Sequence, residues 1–268
     1  MEIEQGRALC LCPHLADSSR VAMKQLQLSR NKMYLPNKDA SKRLLQPTLK
    51  IRHAPADFLE VTAGESKVLE CEAGGSPPPA IYWTKDGKRL LQSTYPSLLS
   101  VDAQDSTLGL GFTRSRLFIN CASHEDAGIY SCVAENEYIR AFKNSQVFVD
   151  ETLDANNEIL CLEKKPFVGI PARVHMWTHT RLEVMGKDVQ LYCRSSGDPT
   201  PRVMWKGPNE EVITSSKKYK FLPNGDMIVR NIDWTDMGGY TCVATNSEGS
   251  DEAMVFLYPT MPENNIEM

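Results

Sequence analysis

The stretch SHEDAGIYSCVAENE, Ser123 to Glu137, returns in altered form as IDWTDMGGYTCVATNSEG, Ile232 to Gly249. Both contain the phrase D-x-G-x-Y-x-C-V-A-x-N, carried by Asp126, Gly128, Tyr130 and Cys132 in one copy and by Asp236, Gly238, Tyr240 and Cys242 in the other. A chain of 268 residues has room for about two ordinary domains, so a phrase this specific written twice implies two copies of one domain. A second landmark precedes each copy. Cys71 and Trp83 in LECEAGGSPPPAIYW correspond to Cys193 and Trp205 in LYCRSSGDPTPRVMW, with an offset of twelve residues in both. Around these landmarks apolar residues alternate, as in Leu69, Cys71 and Ala73 or Val189, Leu191 and Cys193, which is the period of a strand with one face buried. Ile81 and Trp83, Val203 and Trp205, Leu117 and Ile119, and Met227 and Val229 extend the pattern, and Asn224-Gly225 reads as a hairpin turn.

The totals describe a globular protein with a formal net charge of -4. Residues 1–50 hold nine Lys and Arg against four Asp and Glu, a surplus of five, so a basic front end precedes a body of about minus nine. Nothing in this balance points to a nucleic-acid binder, and no run approaches the roughly 18 apolar residues of a membrane span. The N-terminal MEIEQGRALCLCPHLA offers only Ala8 to Cys12 as an apolar run, so no secretory leader is visible. Eight cysteines without metal spacing nevertheless favour an oxidising compartment. The cysteines outweigh the missing leader, and an incomplete or alternative first exon is expected.

The ordered set Cys, Trp, then D-x-G-x-Y-x-C resembles the immunoglobulin fold, specifically its intermediate set, over about residues 50 to 150 and 170 to 260. The resemblance implies an all-β protein of two tandem immunoglobulin-like β-sandwiches with a disordered N-terminal tail. It divides the chain into a basic tail at 1–48, a first domain at 49–150, a linker at 151–170, a second domain at 171–260 and a short tail at 261–268. It implies sheet-to-sheet disulfides Cys71 to Cys132 and Cys193 to Cys242, with Trp83 and Trp205 packed on them. Tyr130 and Tyr240 become tyrosine corners, Gly128 and Gly238 serve the tight turn before them, and Asp236 pairs with Lys218. The distance from Trp83 to Cys132 is 49 residues against 37 from Trp205 to Cys242, so a longer loop or an extra edge strand is expected within LLQSTYPSLLSVDAQDSTLGLGFT.

Two cysteines remain beside the sandwich bridges. Cys121 aligns with Asn231 and faces outward, and Cys161 follows the last strand of the first domain by about a dozen residues, which places both near one pole. A third disulfide, Cys121 to Cys161, is expected to pin the linker; the alternative is two free thiols in a reducing compartment. With this arrangement the chain is similar to the secreted two-immunoglobulin proteins of nematodes, the zwei-Ig group, and to the insect imaginal-morphogenesis protein that binds insulin-like peptides. The stretches that carry the likeness are LFINCASHEDAGIYSCVAEN, EILCLEK, VHMWTHTRLEVMGKDVQLYC and FLPNGDMIVRNIDWTDMGGYTCVATNSEG with VFLYPT. What it implies is an extracellular, non-catalytic binding protein whose partner is an insulin-like peptide or a neuronal surface protein. The rival class is an intracellular muscle-scaffold module, which needs no third disulfide.

Other features carry less. His175 and His179 have the spacing that binds zinc on a helix, but on a strand that spacing separates them by roughly 13 Å, so no metal site is expected. Cys10 and Cys12 form a lone pair in the tail, and the basic segment at 20–50 reads as a solvated leader. No G-x-S-x-G, P-loop or H-E-x-x-H appears, so neither catalytic residues nor cofactors are assigned. PFVGIPARVHMW is more apolar than a flexible hinge. Phe167, Met176 and Trp177 are therefore the candidate anchors for a partner, while the same segment alternatively covers the seam between domains, extends a sheet from one to the other, or forms an exposed edge.

Overall fold

The computed structural model describes residues 46–92, 109–150 and 169–261. In the first sandwich the strands are β1 (Thr48–His53), β2 (Phe58–Thr62), β3 (Lys67–Ser76), β4 (Ala80–Lys85), β5 (Lys88–Arg89), β6 (Leu110–Ile119), β7 (Gly128–Glu135) and β8 (Arg140–Asp150). In the second they are β9 (Ile170–Val184), β10 (Val189–Leu191), β11 (Cys193–Asp198), β12 (Arg202–Lys206), β13 (Tyr219–Phe221), β14 (Met227–Val229), β15 (Gly238–Asn246) and β16 (Gly249–Thr260). The period-2 alternation is realised as expected: Leu69, Cys71 and Ala73 of β3 face Tyr130, Cys132 and Ala134 of β7 across the first core. Cys71 bridges to Cys132 and Cys193 to Cys242, each with Cα atoms 6.4 Å apart.

Both tryptophans lie buried beside these bridges, and each indole N–H has a partner, as burial of a donor requires. Trp83 donates to Ser115 Oγ at 3.0 Å and Trp205 to the Gly225 carbonyl at 2.9 Å. Each tyrosine corner is present, with Tyr130 donating to the Asp126 carbonyl at 2.8 Å and Tyr240 to the Asp236 carbonyl at 3.0 Å. Gly128 and Gly238 start their strands at φ +147° and +152°, a conformation that a β-carbon disfavours. Asp236 is paired with Lys218. The Asn that closes the repeated phrase cross-links the backbone in both copies. Asn136 Nδ2 donates to the Thr48 and Pro77 carbonyls, and Asn246 Nδ2 to those of Ile170 and Pro199. In both sandwiches it ties the first strand to the turn after the first cysteine.

One sheet of the first sandwich is β2-β8-β7-β4-β5. Its other sheet does not stop at the domain boundary. The order β1-β3-β6-β9-β16-β15-β12 runs through both sandwiches, because β9 serves both. The first half of β9 pairs with β11, from Ile170 opposite Asp198 to Trp177 opposite Cys193. Its second half pairs antiparallel with β6 on one side, from Met176 opposite Ser115 to Leu182 opposite Leu110, and parallel with β16 on the other, from Thr180 opposite Phe256 to Val184 opposite Thr260. Of the readings left open for the apolar segment, two are realised together: it extends a sheet from one domain to the other and covers the seam between them.

The seam is also packed. Met176 and Tyr192 of the second sandwich insert into the core cluster of the first, while Trp177 belongs to the core of the second. The Ile81 amide donates to Met176 Sδ at 3.4 Å. Met176 and Trp177 are thus corrected from partner anchors to buried contacts that hold the sandwiches together, since adjacent side chains of β9 point to opposite faces and Met176 enters the first core while Trp177 enters the second beneath Arg116. Phe167, the third anchor, lies outside the described residues, as do Cys161, Cys10, Cys12 and residues 93–108 of the enlarged loop. Cys121 is half-buried at φ +52°, matched by Asn231 at φ +46°, and is disulfide-bonded.

Truncating the tryptophan packed on either bridge is expected to leave a large cavity. Trp83→Ala should lower the stability of the intact chain by about 3 to 5 kcal/mol, read from the midpoint of guanidinium unfolding.

Candidate partner-binding surface

Because β6, β9 and β16 are hydrogen-bonded neighbours, the outer faces of the two sandwiches merge into one surface. A single row of paired residues crosses it without interruption: Lys50, Gly74, Phe112, Thr180, Phe256 and Gly239. Six strands at the usual spacing make this row about 24 Å wide. Leu110, Leu182 and Tyr258 form the next row.

Glycine shapes the surface at one point. A β-carbon on Gly74 would lie 2.5 Å from the Phe112 ring, so the ring rests flat over that glycine, and Arg52 covers it with its guanidinium 4.7 Å from the ring centroid.

The β16 segment AMVFLY is apolar at successive positions, which in a strand means apolar on both faces. Ala253, Val255 and Leu257 fill the second core. Met254, Phe256 and Tyr258 point the other way and are 67%, 41% and 39% exposed, with exposed Met204 on the neighbouring part of the same sheet. Trp234, in the turn before β15, meets the Tyr258 ring edge-on at 6.1 Å. An apolar patch of this extent, continuous over several strands, is the usual mark of a contact surface.

Charge borders the patch on the first sandwich. Arg114 pairs with Glu72 at 2.6 Å, and Arg116 lies 3.7 Å from Glu70 and 3.5 Å from Asp251 of the second sandwich. The Arg116 guanidinium stacks 4.5 Å above the Trp177 ring, closing the seam from outside. His53, Glu70, Glu72, Arg114, Arg116 and Trp177 line a cleft of about 370 Å³ there. No sequence pattern singles out Arg116, because its stacking partner is distant in the chain. The both-sided apolarity that marks Met254, Phe256 and Tyr258 is, by contrast, a signal present in the sequence itself.

Beneath the sheet the seam is polar. Arg181 and Glu183 pair at 2.7 Å, and Arg194 pairs with Asp226 at 3.1 Å, all four buried. Burial pushes the Arg181 guanidinium down from its usual range and the Tyr192 phenol up to about 12. His175 is buried, its backbone carbonyl accepts from Ser115 Oγ at 2.8 Å, and desolvation together with the positive charge of Arg194 lowers its pKa to about 3. His179, on the same strand, is partly exposed. Among the described residues no group of three His, Cys, Asp or Glu is placed to hold a metal ion, and no helix is long and apolar enough to cross a membrane.

Two β-sandwiches with bridge, tryptophan and tyrosine corner define the immunoglobulin class. The sequence pattern of the immunoglobulin domain matches residues 47–136, and that of the immunoglobulin I-set domain matches residues 178–258. The chain is 34% identical over 222 residues to the zwei Ig domain protein zig-2 of Caenorhabditis elegans, covering 81% of this chain and 87% of that one. It is 27% identical over 219 residues to the neural/ectodermal development factor IMP-L2 of Drosophila melanogaster, covering 81% and 79%. The crystal structure of that factor superposes with a TM-score of 0.64 at 25% identity, over 82% of this chain and 98% of the other. The chain belongs to the zwei Ig domain family of two-immunoglobulin proteins.

The burial of His175 has a pH consequence. Its folded pKa of about 3 lies below the roughly 6.5 of an unfolded histidine, so the folded state resists protonation. Stability is therefore full above pH 6.5 and falls as the pH drops toward 3, by about 1.4 kcal/mol per unit from this group. His175→Gln should flatten that part of the profile of melting temperature against pH, leaving the losses due to carboxylates and to His179, whose pKa burial also lowers.

Proposed function

We propose that the chain is a secreted, non-enzymatic binding protein that captures an insulin-like peptide on the outer face of the shared sheet. The observation that carries the reading is the unbroken row from β1 to β15 through exposed Phe256, with exposed Met254 and Tyr258 to either side of it. A sandwich of this class offers rigid strands and no chemistry of its own, so function has to lie in a surface patch. The patch is broad, flat and apolar with a charged border, which suits a small folded peptide that presents an apolar face rather than an extended strand. The resemblance noted in the sequence, to an insect protein that binds insulin-like peptides, motivates the choice of partner, and the disulfides support an oxidising compartment.

Secretion also calls for the third bridge. Cys121 is disulfide-bonded, and we assign its partner as Cys161. Proteolysis without reduction should release one cross-linked peptide pair containing both residues; a free thiol at Cys161 would favour a reducing compartment instead.

Calorimetric titration of the intact chain against a panel of insulin-like peptides tests the main reading. At least one is expected to bind with Kd below about 10 μM, roughly -7 kcal/mol. Phe256→Asp with Tyr258→Asp should weaken it at least about tenfold, roughly 1.4 kcal/mol, while the melting temperature holds. If no peptide binds, the surface is left to the other class of partner, a neuronal surface protein, as in an adhesion or axon-maintenance factor.

A further inference from the structure

Strand β9 carries a β-bulge where it crosses the outer face of the shared sheet. Phe112 of β6 lies opposite Thr180, but the next residue, Thr113, lies opposite Thr178, so His179 is an extra residue in β9. A bulge of this kind can set two consecutive side chains on one face, and bulges recur where a strand aims a side chain at a binding site. Here Thr178 is buried, whereas His179 and Thr180 share the outer face, with Thr180 Oγ1 3.2 Å from His179 Nδ1.

The bulge puts the imidazole between two zones of that face. On one side are Phe112 and Phe256, which flank Thr180 in its row. On the other, Arg114, the next outward residue of β6, lies opposite Trp177 and is bound to Glu72, and Arg116 beyond it reaches Glu70 and Asp251. These charges come from β6, β3 and β16, the strands among which this part of β9 lies, and His53 of β1 lines the cleft beside them. Arg181 and Glu183 of β9 itself point to the buried side. Each of the three outer carboxylates is already engaged by an arginine, so an imidazolium here gains no counter-ion of its own. The folded chain shows the consequence: burial, and then the charge of Arg114, hold the His179 imidazole below its usual range against the opposing pull of Glu72. A partner seated on Phe112 and Phe256 removes more water from the ring, which makes the charged form costlier still.

We infer that His179 makes capture reversible by acid: a bound peptide covers the neutral imidazole, and uptake of a proton there expels the peptide. The inference rests on the outer face being the site of capture. The free chain takes up a proton at His179 more readily than the complex does, so acid favours the free chain. Affinity is therefore full above the ordinary histidine range and falls below it, by up to about tenfold per pH unit for one group. A change of this kind lies in the range where a histidine, alone among unperturbed side chains, alters its charge.

Calorimetric titration of the full chain with the insulin-like peptides tests this at about pH 7.4 and about pH 5, with circular dichroism confirming the sandwiches at both. The unaltered chain is expected to bind more weakly at the lower pH. That loss should exceed the loss in His179→Gln by at least about threefold, a comparison that cancels titration of the peptide's own groups. His53→Gln, which changes the other histidine of this face, should keep the loss of the unaltered chain. Equal losses in the unaltered chain and His179→Gln overturn the inference and leave capture on this face standing, as does a loss abolished by His53→Gln instead. Affinity that rises on acidification, and no longer does so in His179→Gln, also overturns it, because the imidazole then faces a carboxylate of the partner. If no peptide binds at about pH 7.4, the inference falls together with the reading on which it rests.

Discussion

Everything distinctive about this molecule depends on the backbone pairing of β6 with β9. Without it the chain would be two β-sandwiches on a linker, each with an open edge. With it, β9 is an interior strand: it closes the second sandwich through β11, joins β16 in parallel, and accepts β6 from the first sandwich. Unpaired strand edges invite unwanted pairing, and here two edges are satisfied by each other. Met176 and Tyr192 reinforce the backbone contact by entering the first core, and Arg116 seals it from outside by stacking on Trp177 and reaching both Glu70 and Asp251.

The underside of the seam shows a different economy. Two buried ion pairs, Arg181 with Glu183 and Arg194 with Asp226, sit where apolar side chains would pack at least as favourably. Their value lies in specificity. Asp226 also accepts from the Cys193 amide at 2.9 Å and from Gln190 Nε2 at 2.9 Å, so it fixes the relative placement of β10, β11 and the turn before β14. A shift of β9 by one residue would turn Arg181 and Glu183 together to the outer face and put Thr180 and Leu182 on the buried side, so the strand's period-2 burial selects one register. One register is thereby held, and with it the alignment of rows across the outer face on which the proposed partner binding depends.

The two sandwiches were legible because their determinants are local and periodic. Cys71, Trp83, Tyr130 and Cys132 recur as Cys193, Trp205, Tyr240 and Cys242, and each feature has a physical role that can be deduced from its spacing. The joint was less legible. Phe112 and Thr180 pair across 68 positions of chain, and no local pattern reports a contact of that range. VHMWTH could be read as apolar and packed, but the occupant of its far side, solvent, partner or first domain, was not encoded in the segment itself. Reading Met176 and Trp177 as partner anchors followed from their side-chain type and failed on their burial. The unbroken apolarity of AMVFLY, by contrast, was a local signal for a strand covered on both faces, with the core on one side and Met254, Phe256 and Tyr258 available on the other.

Native-state hydrogen exchange of the intact, oxidised chain addresses the shared sheet most directly. If β9 is an interior strand, amides from Met176 to Leu182 that bond to β6 or β16 exchange as slowly as those between β7 and β8 in the first core, and β6 amides opposite them are protected to the same degree. If β6 and the β9 amides facing it exchange at the rate of open edges while both cores stay protected, the sandwiches are independent and the single binding surface does not exist.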